Sequence, residues 1–103
     1  MDKDFEDFWN YLKRELREWR TVNYWSVAGR FRKNSFEALA EDDYVLVYPE
    51  DGSLQRIPKE DFRIVYDVWE QYLTREVKRY EIRDKTRFSS YIISIIHYLL
   101  KER

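Results

Sequence analysis

The chain has 103 residues, of which 44% are hydrophobic and 38% charged, with a net charge of −1. That length bounds it to one domain with a small core. The absence of cysteine excludes disulfides and thiolate metal sites, and no apolar run approaches the roughly 20 residues of a membrane-spanning helix.

The charged fraction exceeds the usual value of about 25%. Uncharged amides are few (Gln55, Gln71, Asn10, Asn23 and Asn34) and Gly and Pro number two each. Many ions, few amides and short loops resemble a thermophile's surface. The opening "MDKDFEDFW" is acidic and amphipathic, unlike a secretory leader. The expectation is a cytoplasmic, prokaryote-like protein with no membrane contact.

The first helix is predicted from about Asp4 to Arg20. Phe5, Phe8, Trp9, Leu12, Leu16 and Trp19 follow helical spacing and form one stripe. Acids cluster at its start and Arg17 and Arg20 at its end, as the helix dipole favours.

Residues 23–57 change period. "YWSVAGRF" alternates Trp25, Val27 and Phe31 with Ser26, Ala28 and Arg30, which predicts a strand over 24–31. "SFEALA" and "YVLVYP" predict two more, joined by the acidic turn Glu41-Asp42-Asp43. Asp51-Gly52 reads as a two-residue hairpin turn. That turn sets Leu46 opposite Ile57 and Val47 opposite Arg56.

Pro58 ends the last strand and can open a helix. Phe62, Val65, Tyr66, Trp69, Tyr72 and Leu73 form its apolar face, and Arg75, Lys78 and Arg79 suit its last turn. A basic connection, "KRYEIRDKTR", leads to a closing helix with Ser89 or Ser90 as its N-cap. The predicted fold is α+β: an N-terminal helix, an antiparallel meander of three to four strands, and two C-terminal helices packed on one sheet face.

The closing helix is apolar nearly all round. Nine of the thirteen residues from Phe88 to Leu100 are aromatic or aliphatic. Ser90, Ser94, His97 and Lys101 make one narrow polar stripe. Such a helix should be covered on most sides. Ile92, Ile95, Ile96 and Leu99 are expected in the core. Ile93, His97 and Leu100 are expected toward a second helix or a partner chain.

No constellation for catalysis emerges. His97 follows Ser94 by three residues, but the helix carries no orienting acid before Glu102 and no oxyanion-forming turn. A single histidine excludes a multi-histidine metal site. Asp42-Asp43 and Glu50-Asp51 read as charged turns. "PED" at 49–51 and "EVK" at 76–78 have the spacing of restriction-type nucleases, yet Glu76 and Lys78 fall at a helix end. No Gly-rich loop offers a phosphate cradle. Neither an enzyme nor a cofactor is expected.

Charge is segregated. Residues 21–33 hold Arg30, Arg32 and Lys33 and no acid, whereas residues 34–55 hold six acids and no base. Residues 75–87 hold six cations against three carboxylates. Lys and Arg neutralise phosphates, and Trp25, Phe31, Tyr80 and Phe88 are interleaved where bases could stack. The bland reading of these stretches is a solvated, salt-bridged surface.

The tail "DKTRFSSYIISIIHYLL", through Thr86, Arg87, Ser89, Ser90, Tyr91 and Ile92, resembles the end of small α+β modules in prokaryotic restriction and defence proteins. The likeness spans 17 residues and lacks the catalytic domain that accompanies such modules. It implies a DNA-associated accessory role and assigns no role to any residue.

The resulting expectation is a small non-enzymatic binding module, nucleic-acid-associated through Arg30, Arg32, Lys33, Arg79, Arg83, Lys85 and Arg87. The alternative is a partner-protein or homodimeric module without nucleic-acid binding. Its interface candidates are Ile93, His97 and Leu100, and its support is the aromatic excess, because Trp and Tyr dominate binding hot spots.

Overall fold

The structure is a computed structural model that describes residues 2–27, 34–50 and 52–101, with side chains from Asp4 onward. The fold is α+β. Helix α1 (Asp2–Glu15) precedes a four-stranded antiparallel meander, β1 (Arg20–Asn23), β2 (Ser35–Ala40), β3 (Tyr44–Pro49) and β4 (Gln55–Pro58), whose spatial order is β1-β2-β3-β4. Then come α2 (Lys59–Asp67), α3 (Trp69–Leu73), α4 (Arg79–Arg83) and α5 (Ser89–Lys101).

Strand alternation divides the sheet into two faces. Val22, Phe36, Ala38, Val45, Val47 and Ile57 are buried on the inner face. Phe5, Phe8, Trp9, Leu12 and Leu16 of α1 join the same core, with Phe62 and Val65 of α2 and Ile92, Ile93, Ile95, Ile96 and Leu99 of α5. The outer face carries Thr21, Glu37, Leu39, Leu46, Tyr48 and Arg56, with the Arg56 guanidinium 4.0 Å from the Tyr44 ring centroid.

Helix α1 stops five residues before the expected end. The Leu16 carbonyl accepts the Ala40 N–H at 2.8 Å, which diverts the chain toward β2. Trp19, which continued the helical stripe in sequence, therefore lies outside the helix and is 47% exposed. The first strand comes earlier than the 24–31 expected. Beyond Asn23 the backbone takes side-chain partners in place of a ladder: Trp25 N–H donates to Ser94 Oγ (3.0 Å) and Val27 N–H to Tyr72 Oη (3.1 Å). Residues 28–31 of that expected strand lie outside the described residues.

The register of β3 and β4 differs by one residue from the expected hairpin. Val45 faces Ile57, Leu46 faces Arg56 and Val47 faces Gln55. The buried Val45 and Ile57 thus share the inner face. The expected pairing would have set Ile57 against Leu46, which points outward, and a one-residue slip inverts every side chain. Asp51 of the expected turn lies outside the described residues; the Gly52 N–H approaches the Pro49 carbonyl at 3.4 Å.

The single helix expected after Pro58 is divided at Val68, whose φ of −116° and ψ of 18° are not helical. The break re-aims the chain so that Trp69 packs on Trp25 and Tyr72 reaches Val27. The basic connection expected before the closing helix contains α4. Helix α5 also starts differently. The Thr86 hydroxyl accepts the Phe88 N–H at 3.1 Å and donates to Asp61 Oδ2 at 2.8 Å. The hydroxyl at the helix mouth is Thr86, ahead of the serines expected to cap it.

Candidate nucleic-acid interface

The α3–α4 corner begins with a backbone irregularity. Arg75 has φ of 68°, the left-handed conformation that usually falls to Gly after a helix. Its N–H donates to the Tyr72 carbonyl at 3.1 Å, and the Val77 N–H to the Gln71 carbonyl at 3.0 Å, so the end of α3 is closed. An arginine there costs about 1 kcal/mol relative to a glycine. What the side chain supplies is a bond across the molecule: Arg75 Nη2 donates to the Val27 carbonyl at 3.2 Å. Both backbone polar groups of Val27 are thereby fastened to the end of α3.

Between that clamped segment and the corner lies a cavity of about 460 Å³. Ser26 and Val27 line it from one side, and Tyr72, Arg75, Val77, Lys78 and Arg79 from the other. Ser26 and Tyr72 are buried, Tyr72 at 1% exposure. Arg75, Lys78 and Arg79 are exposed.

Arg79 and Arg83 stand four residues apart on α4, hence on one face of that turn. Lys85 and Arg87 follow in the connection to α5, and all four are exposed. None of them is within ion-pair distance of a carboxylate among the described residues. Of the ion pairs there, Lys59–Glu6 (3.1 Å) and Arg63–Asp67 (3.6 Å) lie on α1 and α2. Two of the three carboxylates inside the basic stretch are used locally. Glu81 Oε2 accepts the Lys78 N–H at 2.9 Å, and Glu76 Oε1 takes the Thr74 hydroxyl at 3.4 Å. Exposed apolar surface accompanies the cations: Tyr80 is 55% exposed, and Arg87 lies 4.8 Å from the Phe88 ring centroid.

The other basic candidates, Arg30, Arg32 and Lys33, lie outside the described residues. In sequence they lie three to six residues after Val27. Of the aromatics expected to be interleaved for stacking, Tyr80 is exposed, Trp25 half-buried and Phe88 buried, so the last is framework. Phe31 lies outside the described residues.

The interface candidates of the closing helix separate. Ile93, expected toward a second helix or a partner chain, is 0% exposed within the single chain. Its helix packs against α2 and against β1 of the sheet. His97 and Leu100 are half-buried. The His97 ring stacks on Trp25, with centroids 3.8 Å apart. Burial, and secondarily Lys101 one turn away, hold its pKa below the ordinary histidine value. Ser94 Oγ donates to the Ser90 carbonyl (2.8 Å) while accepting the Trp25 N–H, so it joins helix to segment. Among the described residues, no group of three or more acids and histidines is placed to hold a metal.

Sequence reasoning missed Ser26 and Tyr72. Tyr72 sits on the helical stripe like any core residue, and nothing in the local pattern marks the left-handed turn at Arg75 that brings Val27 over it.

In comparisons with family models, curated proteins and solved structures, nothing matches this chain.

Proposed function

We propose that this protein is a small nucleic-acid-binding module without catalytic activity of its own, binding through residues 75–87 and the 30–33 segment. One observation carries the reading. Arg79, Arg83, Lys85 and Arg87 form an exposed series with no carboxylate partner among the described residues. Exposed cations with an exposed ring between them suit phosphates and a stacked base. The mode is sequence-tolerant, because phosphate contacts carry no base information.

The test is fluorescence anisotropy with single-stranded and duplex DNA across a salt series. If four phosphates are neutralised, single-strand affinity falls roughly 50-fold between about 50 and 200 mM salt. Replacing Arg79, Arg83, Lys85 and Arg87 together with glutamine removes binding and leaves the fold intact, since all four are exposed. Absence of binding at about 50 mM salt and micromolar protein refutes the reading.

A second reading, docking of a partner protein, rests on the outer sheet face. Tyr48 is 53% exposed there, and Leu39 and Leu46 are half-covered beside it. Co-purification with one protein partner and no retained nucleic acid favours that reading.

A further inference from the structure

We propose that the cavity between Ser26–Val27 and the α3–α4 corner binds a phosphate monoester, carried at the end of a nucleic-acid strand. The inference rests on the nucleic-acid reading and goes beyond it, because it assigns a pocket and the chemical group that enters it.

Three features of the cavity point to this ligand. The first is charge. Arg75, Lys78 and Arg79 line it, while Glu76 and Glu81, the carboxylates nearest in sequence, do not. The second is a pair of hydroxyls in its wall. Tyr72 Oη accepts the Val27 N–H, which leaves its proton to donate, and it has no acceptor among the described residues. Ser26 adds a second hydroxyl to the lining. Both hydroxyl residues line the same hollow as three cations. The third is the left-handed Arg75. Strained backbone in a non-glycine residue gathers at functional sites, and here it delivers a guanidinium to the cavity wall.

Geometry favours a terminal phosphate over an internal one. A diester offers two non-bridging oxygens and one charge, with a nucleotide on each side. A monoester offers three oxygens and a charge of about −1.5 to −2, which suits three cations and two hydroxyl donors. A strand end can seat its phosphate in the hollow with no further nucleotide to place beyond it. The volume of about 460 Å³ lies within the range of small-ligand pockets, so the terminal sugar can follow the phosphate. Free phosphate shares this chemistry, and the experiment separates the two sources.

The experiment compares three single-stranded oligonucleotides of one sequence, with a 5′-phosphate, a 3′-phosphate or two hydroxyl ends. Anisotropy reads their binding, and calorimetry reads binding of inorganic phosphate alone. A phosphorylated end should bind roughly tenfold tighter than the hydroxyl-ended strand, the scale of one or two charge-assisted hydrogen bonds. Ser26→Ala should reduce that preference several-fold and leave hydroxyl-ended binding unchanged, with a thermal melt confirming the fold. Arg75→Gly keeps the left-handed backbone and should abolish the preference. Equal binding of all three strands overturns the pocket and leaves the nucleic-acid reading standing. Binding of inorganic phosphate with no binding of any strand supports the pocket and overturns that reading. Binding of neither strands nor phosphate overturns both.

Discussion

The indole of Trp25 and the imidazole of His97 lie parallel, their centroids 3.8 Å apart and their planes 3° from coincidence. The stack joins the segment leaving β1 to the outer flank of α5. It also sets the charge state of the histidine. Burial makes the protonated form costly and Lys101 repels it, so the folded pKa lies below the ordinary value of about 6.5. The unfolded chain therefore takes up its proton at higher pH than the folded protein. This contribution to stability is whole above about pH 6.5 and declines as pH falls toward the folded value. His97→Phe preserves a stacking ring and removes the titration. In thermal melts at about pH 7.5 and pH 5, the wild type should lose more melting temperature than the variant. Equal losses would show that the histidine is not linked to folding.

The interior of α5 gives a sharper mutational contrast. Ile95 and Ile93 are both 0% exposed. Ile95→Ala should cost about 2–5 kcal/mol, read from urea denaturation. Ile93→Glu introduces a carboxylate with no partner into the same core and should abolish cooperative unfolding at every protein concentration. A folded Ile93→Glu protein with a lower mass by light scattering would instead place that side chain on a subunit seam.

Ser94 tests the link between α5 and Trp25. Its hydroxyl takes the Trp25 N–H at 3.0 Å, and Ser94→Ala leaves that donor without a partner. The expected loss is about 1–3 kcal/mol. It should be accompanied by a change in tryptophan emission, because Trp25 is no longer held against His97. A variant as stable as the wild type, with unchanged emission, would mean that the stack alone holds the segment.

Thr86 ties the mouth of α5 to α2 through Asp61 at 2.8 Å while accepting the buried Phe88 N–H. Thr86→Val retains the shape and loses both bonds, at a cost of about 1–3 kcal/mol. A double-mutant cycle with Asp61→Ala should return a coupling energy above about 0.5 kcal/mol. Strict additivity of the two losses would make the contact incidental.

Arg75 separates backbone strain from side-chain function. Arg75→Gly and Arg75→Ala both delete the bond to the Val27 carbonyl, but only glycine relaxes the left-handed turn. The glycine variant should therefore be more stable than the alanine variant by about 1 kcal/mol. The opposite order in chemical denaturation would show that the turn rearranges when its arginine is removed.

Much of this architecture was legible in the sequence. Strong alternation placed β2 and β3, and the stripe from Phe5 to Leu16 placed α1. What escaped was decided by contacts between distant residues. Trp19 extends the helical spacing, yet the Leu16 carbonyl finds Ala40 and the helix stops. Asp51-Gly52 looks like a tight turn, yet Val45 and Ile57 must share the inner face, so the register moves by one. The basic stretch 75–87 was visible as composition. Its cavity was not, because Ser26 and Tyr72 are 46 positions apart and meet only through the turn at Arg75.

The sheet's two outermost strands, β1 and β4, are each four residues long, and β4 ends in a proline that has no N–H to offer. Arg20 and Arg56 stand exposed on those margins. A strand arriving from another molecule would find few unpaired backbone groups and would have to desolvate an arginine to reach them. The meander is thus guarded against growing into intermolecular cross-β assemblies. At high concentration the chain can display Tyr48 and Trp19 on its surface without its sheet becoming a template for fibres.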